Sequence, residues 1–203
     1  MILKEIVDSL NVINSDSIKT MLEDETVKET LIATYNYHPY DLAEWKAYKS
    51  NNLLKKIITK LHSQVEPIWT GIDYIAALGG SGSPLAVGLS LYYDKNFIFI
   101  NDRWGITKKF QPIKPPLPDE DIKGKKVLLV DSVLRTGLTA YNGFKIIKDH
   151  GGLPIIMVIA LLPEWIDQSI LKELKDVDFY YMFHWNGDVE NKALEMGLIS
   201  KNP

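Results

Sequence analysis
Residues 127 to 139, Val-Leu-Leu-Val-Asp-Ser-Val-Leu-Arg-Thr-Gly-Leu-Thr, restrict what this chain can fold into more than any other segment. Four apolar residues, Val127 to Val130, suit a strand buried on both faces. An acid, Asp131, follows at the carboxyl end of that run. A short polar turn comes next, Arg135-Thr136-Gly137-Leu138-Thr139, and then a helix-like stretch from Ala140 to Lys148. In an open α/β sheet, ligands sit outside the carboxyl ends of the strands. A turn entering a helix there offers a phosphate its backbone N–H groups, two Thr hydroxyls and the positive helix end. Asp131 cannot serve that phosphate. It can accept hydrogen bonds from sugar hydroxyls or hold a hydrated cation. Phosphate donors beside a hydroxyl acceptor describe a site for ribose 5-phosphate. The bland alternative is an ordinary buried strand and its βα turn.

The surrounding pattern sets the fold class. Ile72 to Leu78, Phe97 to Ile100, Val127 to Asp131, Pro154 to Leu162 and Phe179 to Phe183 are strand-like. Pro84 to Tyr93, Leu138 to His150 and Trp165 to Lys175 are helix-like, and Gly151-Gly152 ends the second of these. Strands alternating with helices imply an α/β fold with a mainly parallel sheet covered on both faces. Right-handed crossovers then bring the loops after the strands to one common edge. Residues 1 to 65 read as a helical segment packing on a core of residues 66 to 203. Ile2, Leu3, Ile6, Val7 and Leu10 keep helical spacing, Asn14-Ser15-Asp16 supplies N-cap residues, and a further helix covers Leu53 to Gln64.

A second turn of interest follows the first strand. Leu78-Gly79-Gly80-Ser81-Gly82-Ser83-Pro84 lets the backbone approach an anion without Cβ interference, and successive N–H groups there form an anion nest. Pro84 suits the first turn of the next helix. By itself this is also what a tight βα connection looks like. It lacks the lysine of a Walker loop and the spaced acid of a dinucleotide site.

Together these two segments resemble the phosphoribosyl pyrophosphate (PRPP) motif and pyrophosphate loop of the type I phosphoribosyltransferases, closest to the orotate-like group. The resemblance runs over roughly residues 70 to 162. It implies Gly79, Gly80 and Ser81 on the diphosphate and Asp131 on the ribose hydroxyls, directly or through Mg²⁺, with Ser132 beside it. It implies Arg135, Thr136, Gly137, Leu138 and Thr139 on the 5′-phosphate. Arg103, just after the second strand, and Lys108 or Lys109, in the long loop 104 to 126, would join Asp131 as the catalytic set. In the family such a loop closes over PRPP. Surface lysines in a solvated loop are the competing account of Lys108 and Lys109. A nucleobase or similar acceptor would stack on Trp185 or Phe183 at the last strand, or under a hood from the Tyr35 to Tyr48 aromatic cluster.

Two positions depart from the family pattern. Ser132 replaces the usual second acid, which weakens ribose and metal binding. Arg135 stays protonated, so it cannot act as a base, and a 6-oxopurine enzyme of the usual kind is disfavoured. These departures keep open a second reading, a PRPP- or nucleotide-binding regulatory protein without turnover.

Composition narrows the remainder. Net charge is -3, with no basic recognition helix in 1 to 65, so nucleic-acid binding is not expected. No segment reaches the roughly 18 uninterrupted apolar residues of a membrane span. The absence of cysteine excludes disulfides and thiolate chemistry, and with no secretory leader evident a cytoplasmic protein is expected. The only two arginines, Arg103 and Arg135, stand at carboxyl ends of strand-like runs, where bidentate phosphate recognition would place them. The family implies a homodimer.

Overall fold
A computed structural model describes residues 2–10, 13–35, 48, 50–100 and 122–200, with the side chains at 35 and 78–81 outside that description. Its centre is a five-stranded, fully parallel sheet: β1 (Tyr74–Leu78), β2 (Asn96–Ile100), β3 (Lys126–Leu134), β4 (Leu153–Leu161) and β5 (Phe179–His184). The spatial order is β2-β1-β3-β4-β5. Chain order therefore reverses direction between β1 and β3, which makes their carboxyl ends the switch point where such sheets open a crevice.

Both faces of the sheet are covered, as its apolar strands require. Alternate residues of β3 split between two cores. Leu128 and Val130 join Ile75, Met157 and Phe183 under the helices α4 (Asn51–Val65) and α5 (Gly79–Tyr93). Val127 and Leu129 join Ile156, Val158 and Phe179 under α1 (Leu3–Leu10), α6 (Leu138–Asp149) and α7 (Gln168–Glu173). Helices α2 (Ser15–Glu23), α3 (Glu25–Tyr35) and α8 (Gly187–Glu195) extend the first core through Ile18, Leu22, Leu31, Val189 and Ala193.

The N-terminal helices start where their capping residues stand. Asn14 Oδ1 accepts from Ser17 N at 2.9 Å, and Ser50 Oγ from Leu53 N at 3.2 Å. Asp24 accepts from Thr26 N and Val27 N and also pairs with Lys60 at 2.5 Å, so one carboxylate starts α3 and ties it to α4. The first helix is stitched to the sheet edge: Leu3 N donates to Val177 O, and Ile2 bridges Asp178.

Several element bounds differ from the sequence expectation, and three of them shape the site. Strand β3 runs on to Leu134, because β4 continues to pair with it through Leu134↔Leu161. Helix α5 begins at Gly79, so Pro84 lies inside it instead of in its first turn. Helix α7 is confined to Gln168–Glu173, because Asp167 caps it by accepting from Ser169 N at 2.8 Å, while Pro163–Trp165 form a separate 3-10 turn.

Candidate functional site: the β1/β3 switch point
Strand β1 pairs with β3 only as far as Ala77↔Val130, whereas β4 accompanies β3 four residues further. Past Val130, β3 has therefore lost one neighbour. The opening of α5 occupies that flank. Gly82 is buried there, and a Cβ built on it would collide with the Val130 carbonyl oxygen and lie 3.0 Å from Asp131 Cα. Only a glycine lets the helix start seat itself on the strand at the acid. The glycine-rich stretch is thus a close-approach device, and its first residues, Gly79, Gly80 and Ser81, form the N-terminal turn of α5 beside Asp131. The helix dipole adds partial positive charge at that end.

Asp131 is almost buried, 7% exposed, and its Oδ1 accepts from Ser132 N at 2.7 Å. A charge-assisted bond to a main-chain donor holds the carboxylate close to its own backbone. Ser132 was expected beside the ribose. Instead it is 1% exposed, inside the sheet, with its N–H directed to Asp131. The strand continues through this position, so the side chain faces packed protein and not the crevice.

The following turn opens to solvent. Arg135, Thr136, Leu138 and Thr139 are exposed, and Gly137 takes φ +83°, the left-handed conformation that favours glycine. Gly137 is the N-cap of α6, with no side-chain cap and no acid in the first turn of the helix. The first helical bond runs from Tyr141 N to Gly137 O at 2.8 Å, and Leu138 N reaches Thr136 Oγ1 only at 3.4 Å. The turn therefore presents main-chain donors, hydroxyls and a guanidinium outward, which is the chemistry of an anion cradle.

Two supports of this turn are not apparent from its own sequence. Asp167 N donates to Thr136 O at 3.2 Å, and Ile170 fills the space below Gly137, where a Cβ would come within 2.9 Å of it. The N-cap signature at Asp167 is the one local hint, and it says nothing of which turn the helix will brace.

Other expected site residues are placed differently. Phe183 and Trp185 were expected to stack on a base. They are 0% and 6% exposed and belong to the first core, so the acceptor-stacking role is withdrawn for both. Strand β5 ends under α4 and α8, and aromatic rings there are core filling. His184 between them is also buried, at 2%, and burial pushes its imidazole down to about 4. Arg103, Lys108 and Lys109 lie outside the described residues, as does most of the Tyr35 to Tyr48 cluster.

Among the described residues no group of three His, Cys, Asp or Glu side chains converges to hold a metal. A lone, nearly buried carboxylate fits a Mg²⁺ that arrives on a phosphate substrate, because Mg²⁺ commonly takes one or two carboxylates and completes its shell with water and phosphate oxygens.

Comparison with known proteins agrees with this geometry. The phosphoribosyl transferase domain model matches residues 44–198. The chain is 28% identical over 168 residues to a protein named transcriptional regulator GfcR from Methanocella arvoryzae, covering 77% of this chain and 78% of that one. It is 32% identical over 119 residues to an orotate phosphoribosyltransferase from Methanospirillum hungatei, covering 58% and 62%. The fold is similar to that of an adenine phosphoribosyltransferase from Leishmania tarentolae, with a TM-score of 0.60, 16% identity, and 83% and 90% of the two chains covered. With a sheet whose switch point carries Asp131 between two helix N-termini, and a family match over most of its length, this chain belongs to the phosphoribosyl transferase domain family.

Proposed function
We propose that the protein transfers ribose 5-phosphate from PRPP to a nucleobase or similar small acceptor, releasing pyrophosphate. The observation that carries this reading is the close seating of the α5 N-terminus on Val130 and Asp131, a few residues from the uncapped turn that opens α6. Two anion-binding helix starts flanking one carboxylate match a substrate with a phosphate at one end, a diphosphate at the other and hydroxyls between.

In this reading the first turn of α5 receives the diphosphate, with Arg103 and Lys108 or Lys109 adding cations. Arg135, Thr136, Gly137, Leu138 and Thr139 receive the 5′-phosphate. Asp131 accepts from the ribose hydroxyls. Departure of pyrophosphate leaves positive charge at C1 and the ring oxygen, while negative charge grows on the leaving group. The protein's part is to hold donor and acceptor in line and to stabilise the leaving charge with N–H dipoles and cations. Mg²⁺ carried on the diphosphate would neutralise part of that charge.

The protein is read as a cytoplasmic homodimer. The exposed Leu91, Tyr92 and Phe99 offer apolar surface of the kind a second copy covers. Nucleic acid is not the expected partner. Residues 1 to 35 carry three lysines against seven acids, which disfavours a phosphate backbone.

A second reading is favoured by Ser132. Its burial in place of a second acid leaves the ribose one carboxylate, and several relatives are named transcriptional regulators. On that reading the site binds PRPP or a nucleotide without turnover. The deciding experiment follows pyrophosphate release from PRPP and Mg²⁺ across a panel of bases. Release with one base only supports transfer. Saturable PRPP binding with no release on any base would sink the transferase reading and leave the sensor.

A further inference from the structure
The turn that opens α6 is tied at two points to the chain that follows β4. Leu162 N donates to Leu134 O at 2.9 Å, and Asp167 N donates to Thr136 O at 3.2 Å. Residues 162 to 167 therefore run as a strap beside residues 134 to 136. Asp167 ends the strap and starts α7: its side chain accepts from Ser169 N at 2.8 Å, and its carbonyl accepts from Leu171 N at 2.8 Å. Ile166, Leu171 and Leu174 are buried in the second core, so packed protein anchors the strap.

What the strap holds is the orientation of one peptide group. The bond between Thr136 and Gly137 is trans, as are all those among the described residues. Its C=O and N–H therefore point in opposite directions. With Thr136 O held by Asp167 N, the Gly137 N–H is turned away from α7. Glycine reaches positive and negative φ about equally well, so Gly137 by itself does not choose between them. Its φ of +83° is held by two contacts: the bond from Asp167 N, and Ile170 Cγ2, which closes the side where a Cβ would stand, 2.9 Å away. A left-handed residue followed by the helical Leu138 aims successive N–H groups, here those of Gly137, Leu138 and Thr139, into one concavity of the kind that takes an anion. Flipping the 136–137 peptide would break that concavity and turn the Thr136 carbonyl toward the anion.

We infer that Asp167, through its main-chain N–H, and Ile170, through its Cγ2 methyl, are positioning residues for phosphate binding at this turn. They select the one glycine conformer in which the turn offers N–H groups and not a carbonyl. Both act through Thr136 and Gly137, so their effect falls on the affinity for a phosphate monoester. The inference rests on the proposed reading of this turn as the 5′-phosphate site. It applies equally to an enzyme and to a sensor, because both must grip that phosphate.

Calorimetric titration of the full chain with ribose 5-phosphate tests it, with pyrophosphate as the internal control. Asp167→Pro suits the local backbone, because Asp167 has φ -62° and Ile166 before it is extended at φ -69° and ψ 128°. The substitution removes the N–H and sets the proline ring against Thr136 O. Asp167→Ala removes only the cap of α7 and keeps the N–H. Ile170→Ala clears the contact at Gly137, and Ile170→Val keeps Cγ2. Asp167→Pro and Ile170→Ala should each weaken ribose 5-phosphate binding about tenfold or more, the size of a lost hydrogen bond to a charged group. Pyrophosphate, received at the start of α5, should keep its affinity within about twofold in both. Asp167→Ala and Ile170→Val should bind ribose 5-phosphate as the unmodified protein does. Ile170→Ala reads the turn even if Asp167→Pro folds poorly. Unchanged ribose 5-phosphate affinity in Asp167→Pro and Ile170→Ala would overturn the proposal. So would an equal loss for both ligands, which is what a merely weakened fold produces. No ribose 5-phosphate binding by the unmodified protein would instead remove the phosphate reading of the turn, and the positioning role with it.

Discussion

Gly82 rests directly on the Val130 carbonyl, so helix α5 and strand β3 meet backbone to backbone at the residue before Asp131. This contact joins the two candidate phosphate elements into one site. Gly82→Ala forces a methyl into Val130 O and to 3.0 Å from Asp131 Cα, with no flexible side chain to yield. The expected cost is about 1–3 kcal/mol of stability together with weakened PRPP binding. Gly187 is the counterpart, with nothing within 4 Å of a built Cβ at the start of α8. Gly187→Ala should therefore be neutral or stabilising by up to about 1 kcal/mol. Denaturant midpoints of the two variants, measured side by side, check the pair.

Gly137 carries the second backbone requirement. Alanine there must hold φ +83° and also press on Ile170 Cγ2 at 2.9 Å. The left-handed strain alone is about 1–2 kcal/mol. Removing the Cγ2 methyl with Ile170→Ala in the Gly137→Ala background should recover the steric part and leave the conformational part. A double variant as unstable as the single one would show that Ile170 does not brace the turn.

Arg135 is exposed, so its side chain contributes little to folding. Arg135→Ala should shift stability by no more than about 0.5 kcal/mol. It should lower affinity for PRPP or ribose 5-phosphate by about 1.5–3 kcal/mol, the size of a charge-assisted hydrogen bond. Unchanged affinity in a titration would remove Arg135 from the phosphate site.

Asp131→Asn keeps an oxygen that can accept from Ser132 N, so the strand should remain intact. What it loses is the charged acceptor for ribose hydroxyls. Affinity for PRPP should drop about tenfold or more with little change in melting temperature. If binding survives at full strength, the ribose role assigned to Asp131 fails.

His184 gives the fold an acid-sensitive point. Burial lowers its folded-state pKa to about 4 from the ordinary 6.5 of an imidazole. Below about 6.5 the unfolded chain takes up a proton that the folded chain refuses until about 4. The stabilisation is thus fully present above 6.5 and is lost as pH falls through that window, by about 3 kcal/mol in total. His184→Phe should flatten the stability curve between those limits. Equal slopes for the two proteins would show that the imidazole is solvated.

Much of the site could be read along the chain. The apolar run Val127 to Val130, the acid after it, the turn with Gly137 and the glycine-rich start of α5 each reflect a local rule. Strand burial, positive φ and helix N-terminal donors act over a few residues, so the order of residue types reveals them. The same locality explains the misplacements. Ser132, placed at the ribose by its position in the motif, and Phe183 and Trp185, placed at the base by their position at a strand end, are all three buried. Whether a strand-end side chain faces the crevice or the core depends on how far its neighbours extend. Here β4 carries β3 past Asp131, and α4 and α8 close over the end of β5.

The sequence by itself determined the fold class, the two glycine-containing turns and the acid between them, because each follows from short-range periodicity and backbone conformation. Only the tertiary structure decided that the glycine stretch serves a helix-to-strand contact at Val130, that Ile170 and Asp167 brace the turn at Gly137, and that the aromatic strand end belongs to the core. Those are contacts between residues tens of positions apart. They arise from the strand order β2-β1-β3-β4-β5 and from close packing, which no local pattern encodes.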